Sequence, residues 1–214
     1  MFTTQMLLPF LAVAVLSYLL GSLNFAIIIS GMYAKGDIRQ HGSGNAGMTN
    51  ILRTYGKGPA IGTAAGDFLK GVLAVTVARF IFARCGITGL DVGYVAGLFV
   101  LFGHLFPLYF GFKGGKGVMT MLGVILVINP LVFLALCVIF LPVVFISKIV
   151  SLASIFGAIA YPVLTWFSLW MKGNKPVFET VCAALVAAII LFMHRENIKR
   201  LLNGTENRFG GAKK

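Results

Sequence analysis

Apolar positions in this chain run in long unbroken stretches rather than alternating with polar ones. The stretches near 6–32, 59–82, 92–110, 152–170 and 177–193 are almost wholly apolar. Each is close to the roughly 20 residues that a helix needs to cross a hydrocarbon layer about 30 Å thick. Residues 118–147, VMTMLGVILVINPLVFLALCVIFLPVVFIS, are apolar throughout but interrupted by Asn129-Pro130. They read either as one long kinked helix or as a tight hairpin of two. The polar positions collect in three clusters, at 35–57, 111–117 and 194–208.

Charge chooses between helix and hairpin, because cytoplasmic loops carry the excess of Lys and Arg. With a hairpin and the N-terminus outside, the inner side holds Lys35, Arg39, Arg53, Lys57, Lys113, Lys116, Lys148, Arg195, Lys199, Arg200, Arg208, Lys213 and Lys214. Arg79, Arg84, Lys172 and Lys175 stay outside and Lys70 lies within the membrane, a count of 13 against 4. A single kinked helix inverts the later segments and gives 8 against 9. The expected fold is therefore all-α and membrane-integral, a single domain over 1–214 with seven transmembrane helices, N-terminus outside and C-terminus cytoplasmic. All three polar clusters then face the cytoplasm.

Composition agrees. Of 214 residues 58% are hydrophobic and 11% charged, against about a quarter charged in soluble domains. A net charge of +12 would suggest nucleic acid in a soluble chain; here the positive-inside bias accounts for it, and no nucleic-acid partner is expected. Cys85, Cys137 and Cys182 are scattered without metal or disulfide spacing. The first apolar run lacks a preceding basic segment and a following cleavage site, and reads as a retained helix.

The clusters suit phosphate. In GSGNAGMTN, Gly42, Gly44 and Gly47 permit positive φ and close backbone approach, so that successive N–H groups can converge on an anion. A helix starting near Ala46 would put Thr49, Asn50 and Arg53 at neighbouring positions and offer its positive end to the same anion. A plain glycine turn capped by Ser43 and Asn45 explains the stretch equally well. In the second cluster, KGGKG joins Lys113 and Lys116 to Gly114, Gly115 and Gly117 and opens into a helix near Val118; its spacing is not that of a Walker A loop. His104 lies about one and a half turns before this loop and reads as a satisfied polar helix residue. In the third, His194 and Asn197 can share a helix face, and Glu206 after Gly204 can pair with a nearby cation. Asp67 and Lys70 of GDFLKG lie inside a span, where ionisable groups are costly and usually paired or functional; their i, i+3 spacing allows pairing beside the site. Ser151 and Ser154 either donate to a ligand or bond backbone. No carboxylate dyad, metal-ligand cluster or serine elbow is present, so neither cofactor nor metal is expected.

These motifs resemble those of the bacterial acyl-phosphate:glycerol-3-phosphate acyltransferase family. SGNAGMTN with Arg53 three residues on, GDFLKG, GHLFPLYFGFKGGKGV, SLAS and HRENIKRLLNGTE occur in the family's order and cover most of the chain. The resemblance implies an inner-membrane enzyme of phospholipid synthesis with its site facing the cytoplasm. It would move a fatty acyl group from acyl phosphate to the 1-hydroxyl of sn-glycerol 3-phosphate, giving lysophosphatidate and phosphate. The partners implied are membrane lipid, those two substrates and a functional link to a soluble enzyme that makes acyl phosphate. Acyl phosphate is assigned to Gly42, Ser43, Gly44, Asn45, Gly47, Thr49 and Asn50. Glycerol 3-phosphate is assigned to Arg53, Lys113, Gly114, Gly115, Lys116, Gly117, Ser151 and Ser154. His194 and Asn197 are the catalytic pair, and Asp67, Lys70, His104 and Glu206 support them. Met48, Met119, Asn24 and SKIVS depart from the family pattern, the methionines near the expected acyl groove. Either His194 or the leaving phosphate takes the proton. A transporter of a phosphorylated solute is the competing class, favoured only by Asp67 and Lys70 inside a span.

Overall fold

The computed structural model describes residues 4–34 and 36–208, and among these every regular element is helical. Lys35, Lys213 and Lys214 of the charge count lie outside the described residues. The chain forms two compact units, Met1–Ile128 and Asn129–Lys214.

The first unit holds α1 (Thr4–Gly21), α2 (Phe25–Ala34), α3 (Met48–Tyr55), α4 (Lys57–Arg84), α5 (Gly93–Leu105) and α6 (Val118–Ile128). The first apolar run, Met6–Ala34, is long and apolar enough to span, but it is two helices. Asn24 makes the break: its Oδ1 accepts the Ile27 N–H at 3.1 Å and caps α2. Its Nδ2 donates to the Ala46 carbonyl at 3.4 Å. Ser22 Oγ donates to the Tyr18 carbonyl at 2.9 Å and accepts the Leu108 N–H at 3.2 Å. Unwound backbone inside a membrane protein persists only where such partners exist.

Helices of this unit cross on paired glycines. A Cβ on Gly71 of α4 would strike the Thr120 carbonyl of α6, and one on Gly123 of α6 would strike the Phe68 carbonyl of α4. Gly21 of α1 and Gly103 of α5 repeat the arrangement against the Val100 and Tyr18 carbonyls. Lipid supplies no hydrophobic drive between helices, so close backbone approach over small residues must hold them. At the far end of α4, Arg79 pairs with Asp91 at 2.6 Å and donates to the Val127 carbonyl at 2.9 Å.

The second unit holds α7 (Pro130–Ser147), α8 (Val150–Trp170), α9 (Val177–Met193) and α10 (Arg195–Leu202). The 118–147 run does break at Asn129, whose Oδ1 caps α7 on the Val132 N–H at 3.3 Å, with proline at the first helical turn. Its Nδ2 donates to Ser168 Oγ of α8 at 2.9 Å. Lys148 ends α7 in the left-handed region at φ 61°. Met6–Ala34, Gly93–Phe110, Pro130–Ser147 and Val150–Trp170 are each long and apolar enough to span, and α9 with α10 makes a pair bent by 60°. By itself α6, with 11 residues, is about 16 Å long, half the hydrocarbon thickness.

Candidate active site

In the first unit, one side chain shapes the 41–47 loop. Asn50 is fully buried; its Nδ2 donates to the carbonyls of Ile38, His41 and Asn45 at 3.3, 2.9 and 3.1 Å. Its Oδ1 accepts the Ser43 N–H at 3.0 Å. Gly42 must be glycine: at φ +58° it lies in left-handed space, and a Cβ there would strike Asn50 Oδ1. Asn50, expected to touch substrate, is thus committed to the loop backbone. The N–H groups of Gly44 and Gly47 are spent on His41 and Asn45 carbonyls, both at 3.0 Å. Those of Gly42, Asn45 and Ala46 have no acceptor among the described residues. Gly47 caps α3 without a side chain, so Ser43 and Asn45 do not cap it as the plain-turn reading required. Ser43 is exposed, Asn45 and Thr49 are half-buried, and Arg53 follows on the exposed side of α3.

Arg39 ties this loop to the second one. Its guanidinium grips both Asp37 carboxylate oxygens, with Nη2 2.7 Å from Oδ2. Its Nη1 donates to the Phe110 and Lys113 carbonyls at 2.6 and 3.0 Å. The Arg39 hydrogen bonds outweigh desolvation and hold the Asp37 carboxyl below its usual range. The second loop then folds back on α5: Gly114 and Gly115 donate their N–H groups to the carbonyls of Leu105 and His104 at 3.0 and 3.2 Å. Neither position admits a side chain. A Cβ on Gly114 would meet the His104 carbonyl, and one on Gly115 the Ala46 carbonyl and His104 Nε2. Gly117, at φ +81°, turns the chain into α6. Lys113 is exposed and Lys116 half-buried.

Behind the loops lies a buried ionic group. Asp67 and Lys70 pair at 2.8 Å with side chains 2% exposed. Lys70 Nζ also lies 2.8 Å from the Leu23 carbonyl and 2.9 Å from His104 Nδ1. Thr120 Oγ1 approaches the same ring nitrogen at 3.4 Å.

In the second unit, α9 bends into α10 at His194, which is 2% exposed. His194 Nδ1 lies 2.8 Å from the Ile190 carbonyl. A carbonyl only accepts, so Nδ1 carries the proton and Nε2 is the basic nitrogen of the neutral ring. One turn on, Asn197 Nδ2 donates to Glu206 Oε1 at 2.8 Å. Ser151 of α8 donates to the same oxygen at 3.0 Å, and Arg200 Nε to Oε2 at 2.7 Å. Burial works to raise the Glu206 pKa, but these donors outweigh it and hold the carboxyl below its usual range. Ser154 bonds backbone, donating to the Val150 carbonyl at 3.0 Å.

Sequence reasoning did not find Asn24, the Asp37–Arg39 pair or Thr120. Only the departure at Asn24 and the conspicuous Asp-x-Arg spacing could have pointed to them. Paired glycine crossings, lipid-facing helices and polar loops with buried supports define a multi-pass integral membrane protein. The particular family follows from comparison. Residues 11–204 match the family described as Glycerol-3-phosphate acyltransferase, and the chain belongs to it. A glycerol-3-phosphate acyltransferase of Clostridioides difficile (strain 630) is 43% identical over 204 residues, 95% of this chain and 97% of that relative. One of Neisseria meningitidis serogroup B is 45% identical over 202 residues, 94% and 98% of the two chains. The crystal structure of PlsY (YgiH), an integral membrane glycerol 3-phosphate acyltransferase, is similar in its glycerol 3-phosphate form with a TM-score of 0.82, 38% identity and 94% and 96% coverage. Its lysophosphatidic acid form gives 0.78, with 38% identity over 94% and 95% of the chains.

Proposed function

We propose that this chain transfers a fatty acyl group from acyl phosphate to the 1-hydroxyl of sn-glycerol 3-phosphate, giving lysophosphatidate and inorganic phosphate. The observation that carries this reading is the likeness, over nearly the whole chain, to an acyltransferase solved in glycerol 3-phosphate and lysophosphatidic acid forms. The whole chain serves this one activity as a single domain, which the match across 11–204 supports. The charge count supports seven spans, with the N-terminus outside and the polar loops in the cytoplasm. An enzyme that makes acyl phosphate would supply the donor.

Both substrates carry phosphate, each with charge of about −1.5 to −2 by analogy with phosphate monoesters. Their approach needs countercharge fixed in advance, commonly the largest catalytic contribution. The Gly42–Gly47 loop offers N–H groups, with Ser43 and Thr49, to the acyl phosphate. Arg53, Lys113 and Lys116 take glycerol 3-phosphate, and the glycines between the lysines, whose N–H groups are spent on α5 carbonyls, set the shape of that loop. The substrate hydroxyl oxygen attacks the acyl carbon, and the carbon–oxygen bond to phosphate breaks with its electron pair leaving on phosphate. The hydroxyl proton passes to His194 Nε2, the nitrogen that the Ile190 contact leaves basic, or to the departing phosphate. Within the second unit Asn197, anchored on Glu206 together with Ser151, is the partner of that histidine in catalysis.

Purified protein in detergent, given palmitoyl phosphate and labelled glycerol 3-phosphate, should form lysophosphatidate without any sealed compartment. Absence of product, or equal product from palmitoyl coenzyme A, overturns the donor assignment. His194→Gln separates the two proton acceptors: turnover falls by about two or more orders of magnitude if the ring is the base. Unchanged turnover removes it from that role.

A further inference from the structure

Lys70 and His104 carry a determined proton arrangement. Lys70 Nζ forms an ion pair with Asp67 Oδ1 at 2.8 Å, donates to the Leu23 carbonyl at 2.8 Å and lies 2.9 Å from His104 Nδ1. Paired with the Asp67 carboxylate, Lys70 is the ammonium, which has N–H groups for both the Leu23 carbonyl and the ring and no lone pair to offer. His104 Nδ1 must therefore accept, and the neutral ring holds its proton on Nε2. The 3.5 Å approach of Asp67 Oδ1 to His104 Nδ1 is no ion pair; both atoms simply flank the same ammonium.

The Nε2–H emerges where the two glycine loops meet. Nε2 occupies the place of the absent Gly115 side chain, beside the Ala46 carbonyl. The His104 side chain is 4% exposed, yet no acceptor for Nε2–H occurs among the described residues. This donor is not sealed off from its surroundings, and it stands beside the 41–47 loop, whose Gly42, Asn45 and Ala46 N–H groups suit an anion.

We propose that His104 Nε2–H donates to a phosphate oxygen of bound substrate at the junction of the 41–47 and 113–117 loops, with Lys70 as the positioning residue that fixes its tautomer. This rests on the acyltransferase reading. A neutral donor here adds a directed hydrogen bond to the point charges of the lysines without competing with them for counter-ions.

The test uses full-length protein in detergent, with KM measured separately for glycerol 3-phosphate and palmitoyl phosphate. Gln at position 104 can place its amide N–H2 where Nε2 stands; Asn can reach only the Nδ1 position. His104→Asn should raise KM for one phosphate substrate about tenfold or more, the loss of a hydrogen bond to a charged group. His104→Gln should raise it several-fold less, with kcat falling little in either. Whichever KM moves tells which phosphate is seated there. Nitrogen-15 histidine spectra should show His104 protonated at Nε2, with its resonance shifting on titration with glycerol 3-phosphate or palmitoyl phosphate. In Asp67→Asn/Lys70→Met, which removes both charges together, that tautomer preference should be lost and the same KM should rise. Equal KM in His104→Asn and wild type, equal losses in the Asn and Gln variants, or a ring protonated at Nδ1 overturns the proposal. A wild-type protein that makes no lysophosphatidate refutes the acyltransferase reading instead, while the spectra still report on the ring.

Discussion

Replacing Glu206 by glutamine tests whether the third polar cluster is held together by one carboxylate. Three donors end on it: Ser151 and Asn197 on Oε1, Arg200 on Oε2. A glutamine oxygen can keep the first two, but its N–H2 then faces the Arg200 Nε–H, donor against donor. A hydrogen bond to a charged group contributes about 1.5–3 kcal/mol. The carboxylate is only 5% exposed, but Arg200 is 39% exposed, so solvent screening places the expected cost near ~2 kcal/mol. That multiplies the unfolded population about 30-fold and lowers the apparent melting temperature by roughly 4–8 °C for a chain of this size. Thermal inactivation in detergent at a fixed scan rate measures it, because membrane proteins of this kind are compared by rate as much as by equilibrium. The pH dependence has a definite sign. Glu206 lies below its ordinary value of 4.5 when folded, so its stabilisation is complete above that value and is lost as pH falls through the folded one. Glu206→Gln should flatten the profile in that window. A variant that melts with wild type yet loses turnover would refute the structural argument and place the carboxylate in the chemistry.

Two further perturbations follow from the first unit. Asn50→Ala strands carbonyls of Ile38, His41 and Asn45 and the Ser43 N–H, at about 1–3 kcal/mol for each group that stays buried. Limited proteolysis should cut the 41–47 loop sooner and turnover should fall. Asn50→Asp, which turns an acceptor toward three carbonyls, should be worse than alanine. Gly71→Ala places a methyl on the Thr120 carbonyl and should cost about 1–3 kcal/mol of overpacking, read as a lower melting temperature. Gly58→Ala on the same helix meets nothing within 4 Å and should be neutral or slightly stabilising; equal effects at both positions would contradict the crossing geometry.

The helical, lipid-facing character of the chain was legible in its apolar runs, because a stretch near 20 residues without charge has no other stable place for its backbone polar groups. The break at Asn129 was legible too, since Asn-Pro supplies both a cap and a missing N–H. So was the Asp67–Lys70 pairing, whose partners lie one helical turn apart. What tertiary structure decided involves partners far apart in sequence. Asn24 splits the first span with the Ala46 carbonyl in reach, and Asn50 shapes the loop because four backbone groups surround it. Arg39 matters through carbonyls more than 70 residues away, and the His104 proton is placed by a lysine on another helix. Periodicity and local spacing report what a helix can present on each face. Which donor meets which acceptor is settled only when helices cross, and here they cross where glycine lets two backbones touch.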